Sequence, residues 1–418
     1  MDKKTIDDVD VTGKQVLVRV DYNVALDAEG RVLDDTRISA SLDTIRTLID
    51  RGARVILISH LGRPRGKPAP DLSLAPVARR LQDLLGRPVA FLHDCVGDEV
   101  NAYVHHKLKD GEVVLLENVR FHPEEETNDP AFAKQLAALC ELYVNDAFGA
   151  AHRAHASTEG VAHYRTAVAG LLMAREIDHL GAVIESPERP LTAILGGSKV
   201  STKVGVIRNL LERVKVDHLL LGGGMTYAFL KALGKPVGAS RVDDESLAMA
   251  RDLVKNGIPP GVALPTDVVV TDRGFDIKKP LNPEAQVKIV PAEQIPEGWQ
   301  GADIGPETAK RFGEIIRESK TVIWNGPVGV FEIEAFAKGT NAIAHAVAAS
   351  GATSVVGGGE SVTAVHQAGV ADQISWISTG GGASLEFLEG KDLPGLKALE
   401  DKTPKPEQSS PAGATGRA

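Results

Sequence analysis

The period of the apolar residues changes back and forth along this chain, and that alternation restricts the fold more than any other feature. Runs of four to six aliphatic and β-branched residues read as buried strands. They are QVLVRV at 15–20, RVILIS at 54–59, VVLL at 113–116 and ELYVN at 141–145, then TAIL at 192–195, HLLL at 218–221, TVIWN at 321–325, TSVV at 353–356 and ISWIS at 374–378. Between them the spacing turns helical. From about Thr36, Ile38, Leu42, Ile45, Leu48 and Ile49 share one helical face. LAPVARRLQDLL at 74–85, PAFAKQLAAL at 130–139, a segment from near Ser201, MTYAFLKAL at 225–233 and AFAKGTNAIAHAVAAS at 335–350 continue the pattern. Parallel neighbours need a crossover, and a helix in that crossover covers the sheet face. The reading is therefore an α/β chain with parallel sheets wound on both sides.

At 418 residues the chain is too long for one core, which points to two such doubly wound halves. Aromatic residues make up only 4%, so the interior is built from Ala, Val, Leu and Ile, as suits parallel strands. The boundary falls near MAREIDHLGAVIESPERP at 173–190, which reads as one helix and then a proline-flanked turn into a new strand. The expected division is 1–173, an interdomain helix and hinge at 174–190, 191–392, a segment at 393–401 that packs back on the first domain, and a tail at 402–418. That tail, KTPKPEQSSPAGATGRA, is too poor in apolar residues to offset the entropy of ordering and is expected to be disordered.

A net charge of −9 argues against nucleic-acid or membrane-surface partners. No stretch is long enough to span a bilayer, the N-terminus lacks an apolar signal region, and a cytoplasmic location is expected. Cys95 and Cys140 form no C-x-x-C pair and read as free, buried thiols rather than a disulfide.

Three GGG triplets, at 222–224, 357–359 and 380–382, each follow a strand and open a helix. Gly196 and Gly197 make a fourth such turn. Glycine lets backbone N–H groups come close to an anion, and ligands of open α/β sheets bind at the carboxyl ends of strands. Four equivalent turns in one half point to a nucleotide or polyphosphate site. Beside the first of them, ILGGSKVSTKVG at 194–205 sets Lys199 and Lys203 around Ser201. It is not a P-loop, because no glycine directly precedes either lysine.

The N-terminal half carries cations instead. SHLGRPRGKP at 59–68 brings His60, Arg63, Arg65 and Lys67; ENVRFHPEEETND at 117–129 brings Arg120 and His122; NDAFGAAHRAHAST at 145–158 brings His152, Arg153 and His155. Arg37 stands where the first crossover helix begins. Each loop follows a strand, so all should emerge at one sheet edge, where guanidinium forks suit a multiply charged small anion. A metal reading of His152 and His155 is disfavoured, since no further ligand has matching spacing. No G-x-S-x-G elbow supports a hydrolase.

RVDYNV, DDTRI, SHLGRP, ENVRFHPEE, NDAFGAAHRAHAST, ILGGSKVSTK, LGGGM, DIGPET, WNGPVGVFE, VVGGGES and STGGGASLE occur in this order between about residues 5 and 400. Together they resemble the phosphoglycerate kinase family. The resemblance implies two Rossmann-like domains facing a cleft, with reversible phosphoryl transfer between 1,3-bisphosphoglycerate and ADP giving 3-phosphoglycerate and MgATP. It places Asp21, Tyr22, Asn23, Arg37, the run His60, Leu61, Gly62 and Arg63, and Arg120 and Arg153 around the phosphoglycerate. It places Lys199, Lys203, Gly301, Glu332, Gly358, Gly359, Glu360 and Ser361 around the nucleotide, with Glu360 near Mg²⁺. Arg37, Lys203, Gly381 and Gly382 are the expected catalytic groups, flanking the phosphoryl in flight after hinge closure. The family also implies a monomer.

This chain departs from the family pattern at several positions. Ala25 stands where proline is usual, Thr202 where aspartate separates the lysines, Glu360 where aspartate is common, and Trp376 where histidine is usual. Two other classes fare worse. A nicotinamide-dependent dehydrogenase should show G-x-G-x-x-G, and a non-catalytic relative should have lost its key cations; neither description fits.

Overall fold

A computed structural model describes residues 2–402. It divides into two compact units: residues 2–175 with 394–402, and residues 176–393. Of the tail expected over 402–418, only Lys402 lies among the described residues, and its amide donates to the Asp2 carbonyl at 2.8 Å.

Unit 1 is built on six parallel strands: β1 (Gln15–Arg19), β2 (Arg54–Ile58), β3 (Val89–Leu92), β4 (Val113–Leu116), β5 (Leu142–Asn145) and β6 (Thr166–Ala169). Their order is β3-β4-β2-β1-β5-β6. The register sets Val16 beside Val55 on one side and Leu142 on the other. Ile45, Leu48 and Ile49 of the helix Leu42–Asp50 pack on this sheet with Val16, Val18, Val55 and Leu57. Each such side chain removed from water contributes about 1.5–3 kcal/mol, so the predicted apolar face is what fixes the helix to the sheet. β3 and β6, the two edge strands, were not read from the sequence.

Unit 2 holds β7 (Leu191–Leu195), β8 (His218–Leu221), β9 (Val262–Ala263), β13 (Thr321–Asn325), β14 (Thr353–Gly357) and β15 (Trp376–Ile377), ordered β15-β14-β13-β7-β8-β9 and all parallel. Between β9 and β13 lies an addition the sequence reading lacked: β10 (Asp267–Thr271), β11 (Val287–Pro291) and β12 (Gln300–Ile304). These make a separate antiparallel sheet with β10 in the centre. It has its own small core of Tyr227, Leu230, Val268, Val270 and Ile295.

The helix Leu171–Glu185 carries the boundary, with Arg175 the last residue assigned to unit 1 and Glu176 the first assigned to unit 2. Within unit 2 the buried Glu176 carboxylate accepts from Trp376 Nε1 (3.0 Å), Ser378 Oγ (2.8 Å), Thr379 N (2.7 Å) and Thr379 Oγ1 (2.8 Å). Trp376 stacks on His179 with ring centroids 4.5 Å apart. In unit 1, residues 394–402 form a strap: Lys4 N donates to Glu400 O at 2.8 Å, Glu400 N to Ala167 O at 2.9 Å and Gly395 N to Ala151 O at 2.9 Å.

Candidate active site

In unit 1 the predicted cations meet at the carboxyl edge of the sheet. β1 runs into Asp21 and Asn23, β2 into His60 and Arg63, β4 into Arg120, and β5 into the turn that carries Arg153. Arg37 Nη1 donates to Asp21 Oδ2 at 2.9 Å, and Asn23 Oδ1 accepts from the Gly62 amide at 2.9 Å, which pins the β2 loop to the β1 loop. Arg120 is nearly buried, and its Nη1 donates to the Gly62 carbonyl at 2.9 Å. Arg153 Nε donates to His152 Nε2 at 3.1 Å. Arg63 is exposed.

The histidines register this convergence. Burial pushes His60 well below the usual imidazole range, and the charges of Arg19, Arg120, Arg153 and Arg37 push it further. Burial with Arg120, Arg19 and Arg153 brings His155 down to about 4. Both rings are therefore neutral at pH 7, and they sit among cations assembled without enough matching carboxylates. Such a cluster is poised for an external anion.

Arg19, which the sequence reading passed over, is at the centre of this group. It closes an apolar strand and is fully buried, donating from Nε to Ser157 Oγ at 2.8 Å, with Nη2 3.0 Å from His60 Nδ1. Glu125, also fully buried, holds Ser157 through Oε1 at 2.6 Å. Two expected site residues take a different place. The Tyr22 ring is in the core, its hydroxyl 2.9 Å from Ser41 Oγ, and the Leu61 side chain is likewise buried. Apolar side chains at a strand end favour the interior, so at these two positions only the backbone is left to meet a ligand.

Unit 2 presents two cavities that share Gly197, Ser198 and Glu360. One, of about 390 Å³, is lined by Lys203, Asn325, Gly358, Gly359, Ser361, Gly381 and Gly382. The other, of about 600 Å³, runs to Tyr227, Arg241, Phe275, Gly301, Ala302 and Glu332. Gly358 and Gly381 cap their helices at φ +91° and +52°, values that favour glycine, and so turn backbone toward the first cavity. The Ser361 side chain is buried and accepts from the Gly326 amide at 2.6 Å, which fixes the turn after β13.

Lys203 is nearly buried in this wall and donates to Asn325 Oδ1. Burial lowers its ammonium to about 8, with Glu360 and Glu389 partly opposing the shift. Asn325 Nδ2 is buried with no hydrogen-bond partner among the described residues. An unsatisfied buried donor beside a lysine costs stability unless an acceptor arrives, so an anionic acceptor there would be favoured. Nothing in the run TVIWN distinguishes Asn325 from an ordinary polar residue ending a strand. Lys199 is exposed and lines neither cavity; its carbonyl accepts from Thr202 Oγ1 at 2.9 Å.

Fold and site together define a two-unit α/β protein whose ligand-binding groups sit at the carboxyl ends of parallel strands. Comparison with known proteins narrows this class. The model of the family described as phosphoglycerate kinase matches residues 6–391. Curated relatives named phosphoglycerate kinase include that of Moorella thermoacetica, 56% identical over 404 residues, covering 96% of this chain and all of the relative. Another, from Gloeothece citriformis, is 56% identical over 410 residues with the same coverage. The solved phosphoglycerate kinase of Coxiella burnetii superimposes with a TM-score of 0.85 at 40% identity, covering 95% of this chain and 98% of that one. That of Pyrococcus horikoshii does so with a TM-score of 0.81 at 33% identity and the same coverage. The chain belongs to the phosphoglycerate kinase family.

Proposed function

We propose that this chain transfers a phosphoryl group reversibly between 1,3-bisphosphoglycerate and MgADP, giving 3-phosphoglycerate and MgATP, as a step of glycolysis and gluconeogenesis. In the forward direction a terminal oxygen of ADP attacks the phosphorus of the acyl phosphate. The bond to the acyl oxygen breaks, and the carboxylate of 3-phosphoglycerate leaves with its electron pair. No proton has to move, which agrees with a site rich in cations and backbone donors and without a general acid–base pair. Catalysis then rests on positioning and charge neutralisation.

The observation that carries this reading is Lys203, a nearly buried ammonium beside the unpartnered Asn325 Nδ2, in a cavity adjoining one that ends at Gly301 and Glu332. Phosphates fit the first cavity, against Lys203 and the backbone of Gly358, Gly359, Gly381 and Gly382. Ribose and base fit the second, with Glu332 as a hydroxyl acceptor. The phosphoglycerate falls to Arg37, Arg63, Arg120, Arg153 and His60 of unit 1, and the helix Leu171–Glu185, which carries the boundary between the units, is the proposed hinge. Glu360, at the wall shared by both cavities, offers the hard carboxylate oxygen that Mg²⁺ prefers. Bound with the nucleotide, Mg²⁺ supplies charge neutralisation of the phosphates.

A cytoplasmic monomer without nucleic-acid or membrane partners fits this role. The net charge is −9, and no described helix is long and apolar enough to cross a membrane. A coupled assay with ATP, 3-phosphoglycerate and Mg²⁺ tests the reading. Saturable turnover that requires both substrates is expected; no turnover with both present overturns it.

A further inference from the structure

β3 and β4 are neighbours, with Leu92 beside Leu116 in register. The segments that follow them, at 93–95 and 117–122, therefore leave the sheet at one place. Asp94, Cys95 and His122 converge there, with one ligand atom from each lying within 4.8 Å of the other two. Among the described residues no other trio of His, Cys, Asp or Glu meets this spacing. We propose that these three side chains form a binding site for a single thiophilic divalent cation, with Zn²⁺ the best match.

The donor set selects the class of ion. Thiolate, imidazole and carboxylate together suit Zn²⁺, whose bonds of about 2.0–2.3 Å set ligand atoms roughly 3.3–3.8 Å apart in a tetrahedron. Hard ions such as Mg²⁺ prefer an all-oxygen shell and are poor matches. The ligands are also held in place. The His122 ring stacks on Phe132 at 5.1 Å, and its Nε2 is 2.7 Å from Asp94 Oδ1. The same carboxylate oxygen accepts from the Cys95 amide at 2.6 Å.

The surroundings call for a cation. A cavity of about 430 Å³ is lined by His93, Asp94, Glu117 and His122. The buried Glu117 carboxylate on its wall accepts from Ser73 Oγ, Leu74 N and Asn118 N at 2.7–2.8 Å, all neutral donors. On binding, the Cys95 S–H bond breaks, the proton passes to solvent and a sulfur–metal bond forms. The His122–Asp94 hydrogen bond opens as both groups turn to the ion. Three protein ligands leave a fourth position for water. The sequence pointed to metals only at Glu360 and, disfavoured, at His152 and His155; the pairing of β3 with β4, which brings these donors together, is not visible in it.

The test uses the full chain, free of nucleotide, titrated with Co²⁺ alone and then with Zn²⁺ alone in competition. One Co²⁺ per chain is expected, with tetrahedral visible bands and a thiolate-to-metal charge-transfer band in the near ultraviolet that Zn²⁺ removes. Cys95→Ser should abolish the charge-transfer band. Because a change at that buried position risks misfolding, His122→Gln, at a partly exposed ring, provides the second arm and should weaken binding at least tenfold. The proposal is overturned if the charge-transfer band is absent. Unchanged affinity in His122→Gln also overturns it, as does binding that is lost only on changing His105 and His106, the adjacent pair on the helix Asp98–His106.

Discussion

Lys203 combines two conditions that rarely coexist: little contact with water and, in the proposed reaction, a charge that acts on phosphate. Its ammonium titrates at about 8 because burial outweighs the help of Glu360 and Glu389. In the proposed role it is the protonated form that holds phosphate. In the free enzyme kcat/KM should be level below pH 8 and fall about tenfold per pH unit above it. Saturating nucleotide brings negative charge and should move that limb to higher pH in kcat. A pH profile with no alkaline limb before pH 10 would contradict the assignment. Lys203→Ala should lower kcat by about a hundredfold or more, a loss of roughly 2.7–4 kcal/mol from a charge used in the transition state. Steady-state kinetics showing an unchanged kcat and a raised KM would reassign it to ground-state binding. Arg63 is exposed and outside the buried lattice of Arg19, Arg120 and His60. Arg63→Ala should raise KM for 3-phosphoglycerate several-fold and leave thermal stability unchanged, which titration and calorimetry would separate.

At the scale of elements, the helix Leu171–Glu185 is fastened within unit 2 by one carboxylate and its donors from the segment 376–379. Glu176→Ala strands those donors. It should cost about 3 kcal/mol, or roughly 6–10 °C in the Tm of a unit this size, while Glu176→Gln, which keeps an acceptor oxygen, should cost less. Calorimetry of the three proteins measures the difference. This fastening also shows what the sequence could and could not convey. The helix and the strand β7 that follows it were legible because their apolar runs are strong, whereas β6, which precedes the helix, was not. The edge strand Val89–Leu92 is mostly only half-buried, the two-residue β9 is too short to show a period, and the antiparallel β10–β12 sheet interrupts the strand–helix rhythm. At the site, Arg37, Arg120, Arg153 and Lys203 were legible because their loops follow strong strands. Arg19 and Asn325 were not, since each is the last residue of an apolar strand and acquires meaning only from partners far along the chain. By residue type and spacing alone Lys199 and Lys203 look alike, and only the resemblance set Lys203 apart. Only the fold separates the exposed one from the buried one.

At the scale of the whole molecule, residues 394–402 belong with residues 2–175, so unit 2 is inserted into unit 1. Leu396 and Leu399 are buried there, and the strap bonds to Asp2, Lys4, Ala151 and Ala167. Ending the chain after Leu393 should therefore lower the stability of unit 1 by about 4 kcal/mol from the two leucines alone, with unit 2 little changed. Ending it after Lys402 should have no such effect. Denaturant unfolding followed by hydrogen exchange resolves the two units and checks both. The strap also imposes an order on biosynthesis. As the chain leaves the ribosome, residues 2–175 emerge first, yet the segment that closes their sheet edge emerges only after the whole of unit 2. The earlier-made unit has to wait, partly open, while the later one has everything it needs to fold. The part of the chain that is made first is the last to be finished.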